Sequence, residues 1–224
     1  FLTRWAEKSD PATPVRLVFS QAAFTSVKTY PLAAQSDAAI RNLPVLKPTD
    51  YPPDDDVKPD FASNGWPQTK RLLALELMKK AGALHVTGDQ DLGSCGQYGL
   101  NGYRDGPWWS SSPAISNEGK RRWMPSIKGA NPRSAAPRET GDFKDAFGNK
   151  ITVAAVANPV EREPLPTSLH NHAVGYSILT SDPASGRITL ANWPYWASPA
   201  KPAPNNTPYS GWPITIDPKS GVRF

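Results

Sequence analysis

With a single cysteine, Cys95, in 224 residues, the chain excludes an internal disulfide framework and any cysteine-rich zinc site. Histidine and methionine are also scarce, at three and two. No apolar run approaches the ~20 residues that a membrane-spanning helix needs. Neither sign of charge dominates. The 25 Lys and Arg set against 20 Asp and Glu leave a formal charge of +5, too small and too mixed along the chain to indicate a nucleic-acid partner. The GxxxxGK[ST] phosphate loop, the GxSxG elbow and HExxH are all missing, so three common nucleotide and hydrolase chemistries have no motif here. Proline is abundant. The chain holds 25 prolines and 16 glycines, about 18% of its residues, against an average near 12%. Eight Trp, seven Tyr and seven Phe are nevertheless too many aromatics for a disordered chain. The composition is that of an ordered, loop-rich globular protein.

The opening Phe1-Leu2-Thr3-Arg4-Trp5-Ala6-Glu7-Lys8 lacks the basic segment and apolar run of a secretory signal. It reads as the last turns of an amphipathic helix, with Leu2, Trp5 and Ala6 on one side. Val15–Ser20 is β-branched and aromatic and predicts a strand. Residues 30–65 read as a loop insertion, because Tyr51-Pro52-Pro53-Asp54-Asp55-Asp56 suits neither a helix nor a central strand. A helix follows over about Trp66–Ala81, with Pro67 in its first turn and Leu72, Leu73, Leu75, Leu77 and Met78 forming a broad apolar face. Lys79 and Lys80 suit its C-terminal end, and Gly82 stops it. Ala83–Thr87 then predicts a buried strand that runs into Gly88-Asp89-Gln90-Asp91, the order by which α/β proteins place chemistry at strand carboxyl ends. Further strands are predicted at Ile151–Ala157, Val174–Thr180, Arg187–Ala191 and Ile214–Ile216, with Gly186 turning a hairpin between the middle two. Residues 197–213 read as a proline-rich surface arm.

Three groups of residues could carry chemistry. Asp89 and Asp91, two apart on one turn, suit either a shared hard cation or the capping of turn amides. Tyr98, Tyr103, Arg104, Asp105, Trp108 and Trp109, then Asn117, Lys120, Arg121, Arg122 and Trp123, combine cations with aromatic rings. They fit either a phosphate clamp or a core of tryptophans with an Arg104–Asp105 surface pair. His170 and His172 face one way if extended and suit either a metal or a loop. His85 and Cys95 read as a hydrogen-bonded core histidine and a small packed residue.

Several segments, taken in order, also carry a resemblance. They are Phe1–Trp5, Leu17–Phe24, Ser63–Gln68, Gly88–Gly93, Gln97–Gly99, Tyr103–Trp108, Arg121–Trp123, Phe147–Lys150, Ala155–Pro159 and Gly211–Ile216. Together they resemble the C-terminal half of alkaline phosphatase D-like metallophosphatases across nearly the whole chain, 1–224. The resemblance implies an α/β (α+β) fold, the C-terminal portion of a calcineurin-like metallophosphoesterase β-sandwich flanked by helices. It implies hydrolysis of phosphoric esters with divalent or trivalent metal ions (Ca, Mg, Mn, Fe or Zn), and a periplasmic or extracellular location. Asp89 and Asp91 would stand at the metal edge. Asn117, Arg121 and Arg122 are candidates for the substrate rim, from their charge and proximity in sequence. The family's loop reads Gly-Asp-Gln-His, and Asp91 stands at the position of its histidine ligand. Carboxylate at that position shifts preference toward harder cations. The family's other metal motifs belong to an N-terminal half, so half a sandwich is expected, with an apolar face covered by that missing half or by a second copy. The alternative is a non-catalytic binding or self-assembling module built on the same scaffold.

Overall fold

In the computed structural model, residues 1–8, 15–33, 46–47, 50–115, 121–132, 137–161, 172–201 and 206–219 are described. Helix α1 (Leu2–Glu7) leads to strand β1 (Arg16–Ser20), and β2 (Thr29–Pro31) with β3 (Asp55–Val57) precedes helix α2 (Gln68–Ala81). Strands β4 (Ala83–Thr87), β5 (Ser94–Tyr98), β6 (Trp108–Ser111), β7 (Gly141–Lys144) and β8 (Lys150–Val156) follow, then β9 (Gly175–Ser181), β10 (Ile188–Pro194) and β11 (Ile214–Ile216). The architecture is mixed α/β, mostly sheet with few helices.

Six strands form one sheet in the order β1-β4-β6-β5-β8-β7, and three form a second in the order β11-β10-β9. In the first sheet β1, β4 and β6 run parallel, while β5, β8 and β7 pair antiparallel beyond them. Alternation along each strand divides the core in two. Ala83, Trp109, Tyr98, Ile151 and Val153 face Leu75 and Met78 of α2 and Ala6 of α1. Leu84, Cys95, Trp108 and Ala155 face Ile188, Leu190, Ile214 and Ile216 of the second sheet. The result is a helix layer on a sheet on a sheet, as two amphipathic faces of one sheet require.

Local chemistry explains the expected elements. Helix α2 ends where Gly82 adopts φ 59° and ψ 42°, its N–H closing on Lys79 and Met78 carbonyls, a left-handed cap that suits glycine. Leu75 and Met78 are buried as expected, but Leu73 points outward at 47% exposure. A helix of this length can turn only one stripe to the sheet. The β9–β10 hairpin turns through Gly186 at φ 72°.

Two loop expectations are corrected. Inside 30–65, Asp55–Val57 pairs antiparallel with Thr29–Pro31, because the Asp55 carboxylate is neutralised by Arg122 rather than solvated. Inside 197–213, Tyr209 and Trp212 are buried at 3% and 8%. The Tyr209 hydroxyl donates to the Val174 carbonyl at 2.7 Å, so Tyr209 and Trp212 cover the second core rather than decorating the surface. The aromatic Trp108, Trp109 and Trp123 are core residues. Arg104 pairs with Asp142 at 3.1 Å, while Asp105 accepts the amides of Leu100, Asn101 and Gly102. Among the described residues, no helix is long and apolar enough to cross a membrane.

Candidate functional site

The carboxyl ends of the three parallel strands meet at one edge. The β1 end supplies Ser20 and Gln21, the β4 end Thr87 and the loop Gly88–Gly93, and the β6 end Ser111 and Ser112. Backbone bonds weld them together, Gly88 N–H to Gln21 O at 3.0 Å and Ser112 N–H to Thr87 O at 3.0 Å. Parallel strands create such an edge because all their carboxyl ends point one way.

The loop itself is unusual. Asp89 and Asp91 both hold positive φ, 57° and 52°, a region that costs most L residues energy and that Asp tolerates better than most. Between them Gln90 is 1% exposed, its amide donating to the Thr25 carbonyl at 2.8 Å. Drawing Gln90 inward leaves the flanking Asp89 and Asp91 exposed. Gln21 donates to the Asp89 carboxylate at 3.2 Å. Gly93 seats the far end: a Cβ there would stand 2.7 Å from Asn192 Nδ2 and 3.3 Å from Ala157 Cβ and Pro113 Cδ, so any larger residue would have to displace the buried Asn192 side chain.

Buried polar atoms without hydrogen-bond partners gather at the same edge. Thr87 Oγ1, Gln90 Oε1 and Ser111 Oγ are three of them, and Thr87 lies directly opposite Ser111 in the sheet register. Each such atom costs ~1–3 kcal/mol when left unsatisfied, so strain and unmet polarity coincide at this edge, the pattern of a functional site.

A hydrogen-bonded chain links the edge to the core. Ser20 Oγ stands 2.7 Å from His85 Nε2, and His85 Nδ1 stands 2.8 Å from the Tyr98 hydroxyl. That hydroxyl accepts the Phe24 N–H at 3.0 Å. Its own hydrogen must therefore go to His85 Nδ1, the alternative being an unbonded phenol in the interior. The imidazole proton then sits on Nε2 and points at Ser20, whose hydroxyl donates to the Ala22 carbonyl at 2.8 Å. In this order the histidine cannot accept the serine proton, so the chain does not activate Ser20 as a nucleophile. Burial lowers the His85 pKa to about 4 and raises that of the Tyr98 phenol. Arg71, 3% exposed, donates from Nε to the Phe24 carbonyl at 2.6 Å and lies over the Tyr98 ring at 5.8 Å. Burial lowers its pKa. Tyr98→Phe removes the central hydroxyl and orphans both Phe24 N–H and His85 Nδ1, so it is expected to cost about 1–3 kcal/mol. Urea midpoints of the two proteins check this, and a loss below ~0.5 kcal/mol would contradict the chain.

The other expected site residues lie elsewhere. Arg122 is buried and its guanidinium grips Asp55 through two bonds of 2.7 and 2.6 Å. Arg121 pairs with Asp60 at 2.5 Å. No described hydrogen bond or ion pair links either arginine to the Gly88–Gly93 loop, and both serve to hold the segment that packs on β2 and β3. Asn117, Lys120, His170 and Asn171 lie outside the described residues. Core roles hold for His85 and Cys95, both 0% exposed.

Among the described residues, no group of three or more His, Cys, Asp or Glu side chains could hold a metal ion. Two carboxylates, Asp89 and Asp91, could offer at most four of the six or more oxygens a hard cation takes, so the described residues do not by themselves make a metal centre. The chain matches no family model, no curated protein and no solved structure.

The sequence showed the Asp89–Asp91 loop but not the Ser20–His85–Tyr98 chain. Its members come from separate strands 65 and 13 residues apart, and only the parallel pairing of β1 with β4 brings the first two together.

Proposed function

We propose that this chain is the C-terminal portion of a metal-dependent phosphoric ester hydrolase, a phosphatase or phosphodiesterase of the alkaline phosphatase D-like, calcineurin-like class. Asp89 and Asp91 are its contribution to the metal edge. The carrying observation is the strained, outward-facing carboxylate pair at the carboxyl end of β4, held by the inward Gln90. The remaining ligands come from outside the described residues, with Arg121 and Arg122 supporting the frame rather than touching the ester. A phosphate ester is the substrate, and the compartment is periplasmic or extracellular.

Mn²⁺ titration of the chain followed by electron paramagnetic resonance tests the site. Weak binding, with a Kd of about 1 mM or more because only two carboxylates engage, is expected, along with its loss in Asp89→Asn/Asp91→Asn. Binding unchanged by that double substitution would place the metal elsewhere. Asp91→His restores the imidazole of the family-like loop and is expected to tighten Zn²⁺ or Mn²⁺ relative to Ca²⁺.

A second reading, a non-catalytic self-assembling or binding module, starts from one observation that both readings have to accommodate. β1 is an edge strand, parallel to its one described partner β4, and Phe19 on it is 72% exposed. Parallel strands are normally covered on both faces, and open edges are normally blunted. The hydrolase reading fills this edge with a strand of the N-terminal half, and the module reading fills it with a second copy. Analytical ultracentrifugation separates them. A concentration-dependent dimer abolished by Phe19→Lys favours the module, and a monomer that keeps its Mn²⁺ site favours the hydrolase.

A further inference from the structure

At the opposite edge of the six-stranded sheet, β7 joins β3 and residues 125–130 around a cavity of about 300 Å³. That volume lies at the lower end of small-molecule pockets and matches a single-ring ligand. Its apolar wall includes Val57, Ile127 and Phe143, and its rim carries Tyr103, Lys128 and Lys144. Phe143 is 8% exposed and packs edge-on against Trp123 at 5.2 Å, so this wall is anchored in the core. Ile127, by contrast, is 80% exposed, an apolar side chain standing at the mouth.

The charges around the cavity do not cancel. Asp55 is committed to Arg122 and Thr29. Asp142 is committed to Arg104, Asn131 and Thr152. The third lining carboxylate, Asp56, accepts the Val57 N–H at 2.8 Å. Among the described residues neither Lys128 nor Lys144 has an ion-pair partner. Two ammonium groups against one available carboxylate leave the rim cationic over an apolar wall.

We infer that this cavity binds a small aromatic oxyanion, its ring against Phe143 and Ile127 and its carboxylate or phosphate between Lys128 and Lys144. The lysines supply charge-assisted hydrogen bonds to the oxyanion, and the apolar wall supplies burial for the ring, a gain that an inorganic ion without a ring does not have. The site stands apart from the Asp89–Asp91 edge and does not depend on the hydrolase reading.

Benzoate and phenyl phosphate are the probes, with neutral benzamide and inorganic phosphate as controls, followed by saturation-transfer NMR and calorimetry on the intact chain. Benzoate or phenyl phosphate is expected to bind at least roughly fivefold more tightly than benzamide, since a charge-assisted bond outweighs a neutral one. Inorganic phosphate is expected to bind more weakly than phenyl phosphate. Lys128→Ala/Lys144→Ala, both exposed positions, is expected to weaken the aromatic anions about tenfold or more, with an unchanged melting temperature. Asp89→Asn/Asp91→Asn is expected to leave their affinity unchanged, which separates this cavity from the metal edge. Absence of binding, equal affinity for benzamide, indifference to the lysine pair, or loss in the Asp89/Asp91 variant would each overturn the assignment.

Discussion

Replacing Asp55 with alanine is expected to cost the fold about 3–5 kcal/mol, because it strands a buried guanidinium. Asp55 and Arg122 have side chains 0% and 5% exposed, and they meet through two bonds. Thr29 Oγ1 adds a third donor to the same carboxylate at 3.1 Å, and the Thr29 N–H returns to the Arg122 carbonyl at 2.9 Å. Arg122 Nη1 already lacks a partner, so removal of the carboxylate leaves the cation with little in compensation. Asp55→Leu/Arg122→Met removes both charges together and is expected to recover to within about 1–2 kcal/mol of the parent, since apolar replacements of a buried pair are often neutral. Equilibrium urea unfolding of the parent, the singles and the double gives the coupling energy directly. Additive single effects below ~1 kcal/mol each would show that the pair does not hold β2 and β3 to the 121–132 segment. The same series bears on function. An Arg122 that met a phosphate ester at an exposed rim could be truncated with little loss of stability, whereas an Arg122 that locks the frame cannot.

That contrast shows where sequence reasoning succeeded and where it stopped. Strands β1, β4 and β11 are apolar runs with turn residues at their ends, and α2 carries its own stop signal at Gly82, so all four were legible locally. β5 was not. No strand is predicted over Ser94-Cys95-Gly96-Gln97-Tyr98, where small and polar residues show no alternating pattern, yet every one is buried, because β6 and β8 flank the strand on both sides. β7 was missed for a related reason. Asp142 sits at 6% exposure, its charge and hydrogen-bonding capacity met by Arg104, Asn131 and Thr152, partners 38, 11 and 10 residues away. Polar residues look like loop residues until their partners are known. The candidate site divides the same way. Asp89 and Asp91 announce themselves by lying just past a predicted strand, but charge and sequence proximity could not tell that Arg121 and Arg122 turn toward Asp60 and Asp55.

Acidification is expected to weaken the protein through His85. Folded His85 takes its proton only at about pH 4, because its burial penalises the imidazolium, whereas an unfolded histidine does so near pH 6.5. Between those values the unfolded chain binds the extra proton, so stability is full above pH 6.5 and falls as the pH drops toward 4. Discounting for the breadth of both titrations, the loss attributable to this residue is up to about 3 kcal/mol. Geometry points the same way. Imidazolium would put a hydrogen on Nδ1 where the Tyr98 hydroxyl already donates, and the Phe24 N–H still occupies that oxygen. His85→Gln keeps a neutral polar side chain in place and removes the titration. Carboxylates titrate in the same range, so the informative quantity is the difference between the two proteins in urea-unfolding free energy at pH 7, 6, 5 and 4.5. The gap is expected to narrow by about 2–3 kcal/mol from the top of that range to the bottom, as the parent loses stability that the variant never had. Parallel pH curves would mean that His85 is protonated equally in the folded and unfolded chain, and the neutral Ser20–His85–Tyr98 chain would then have to be redrawn.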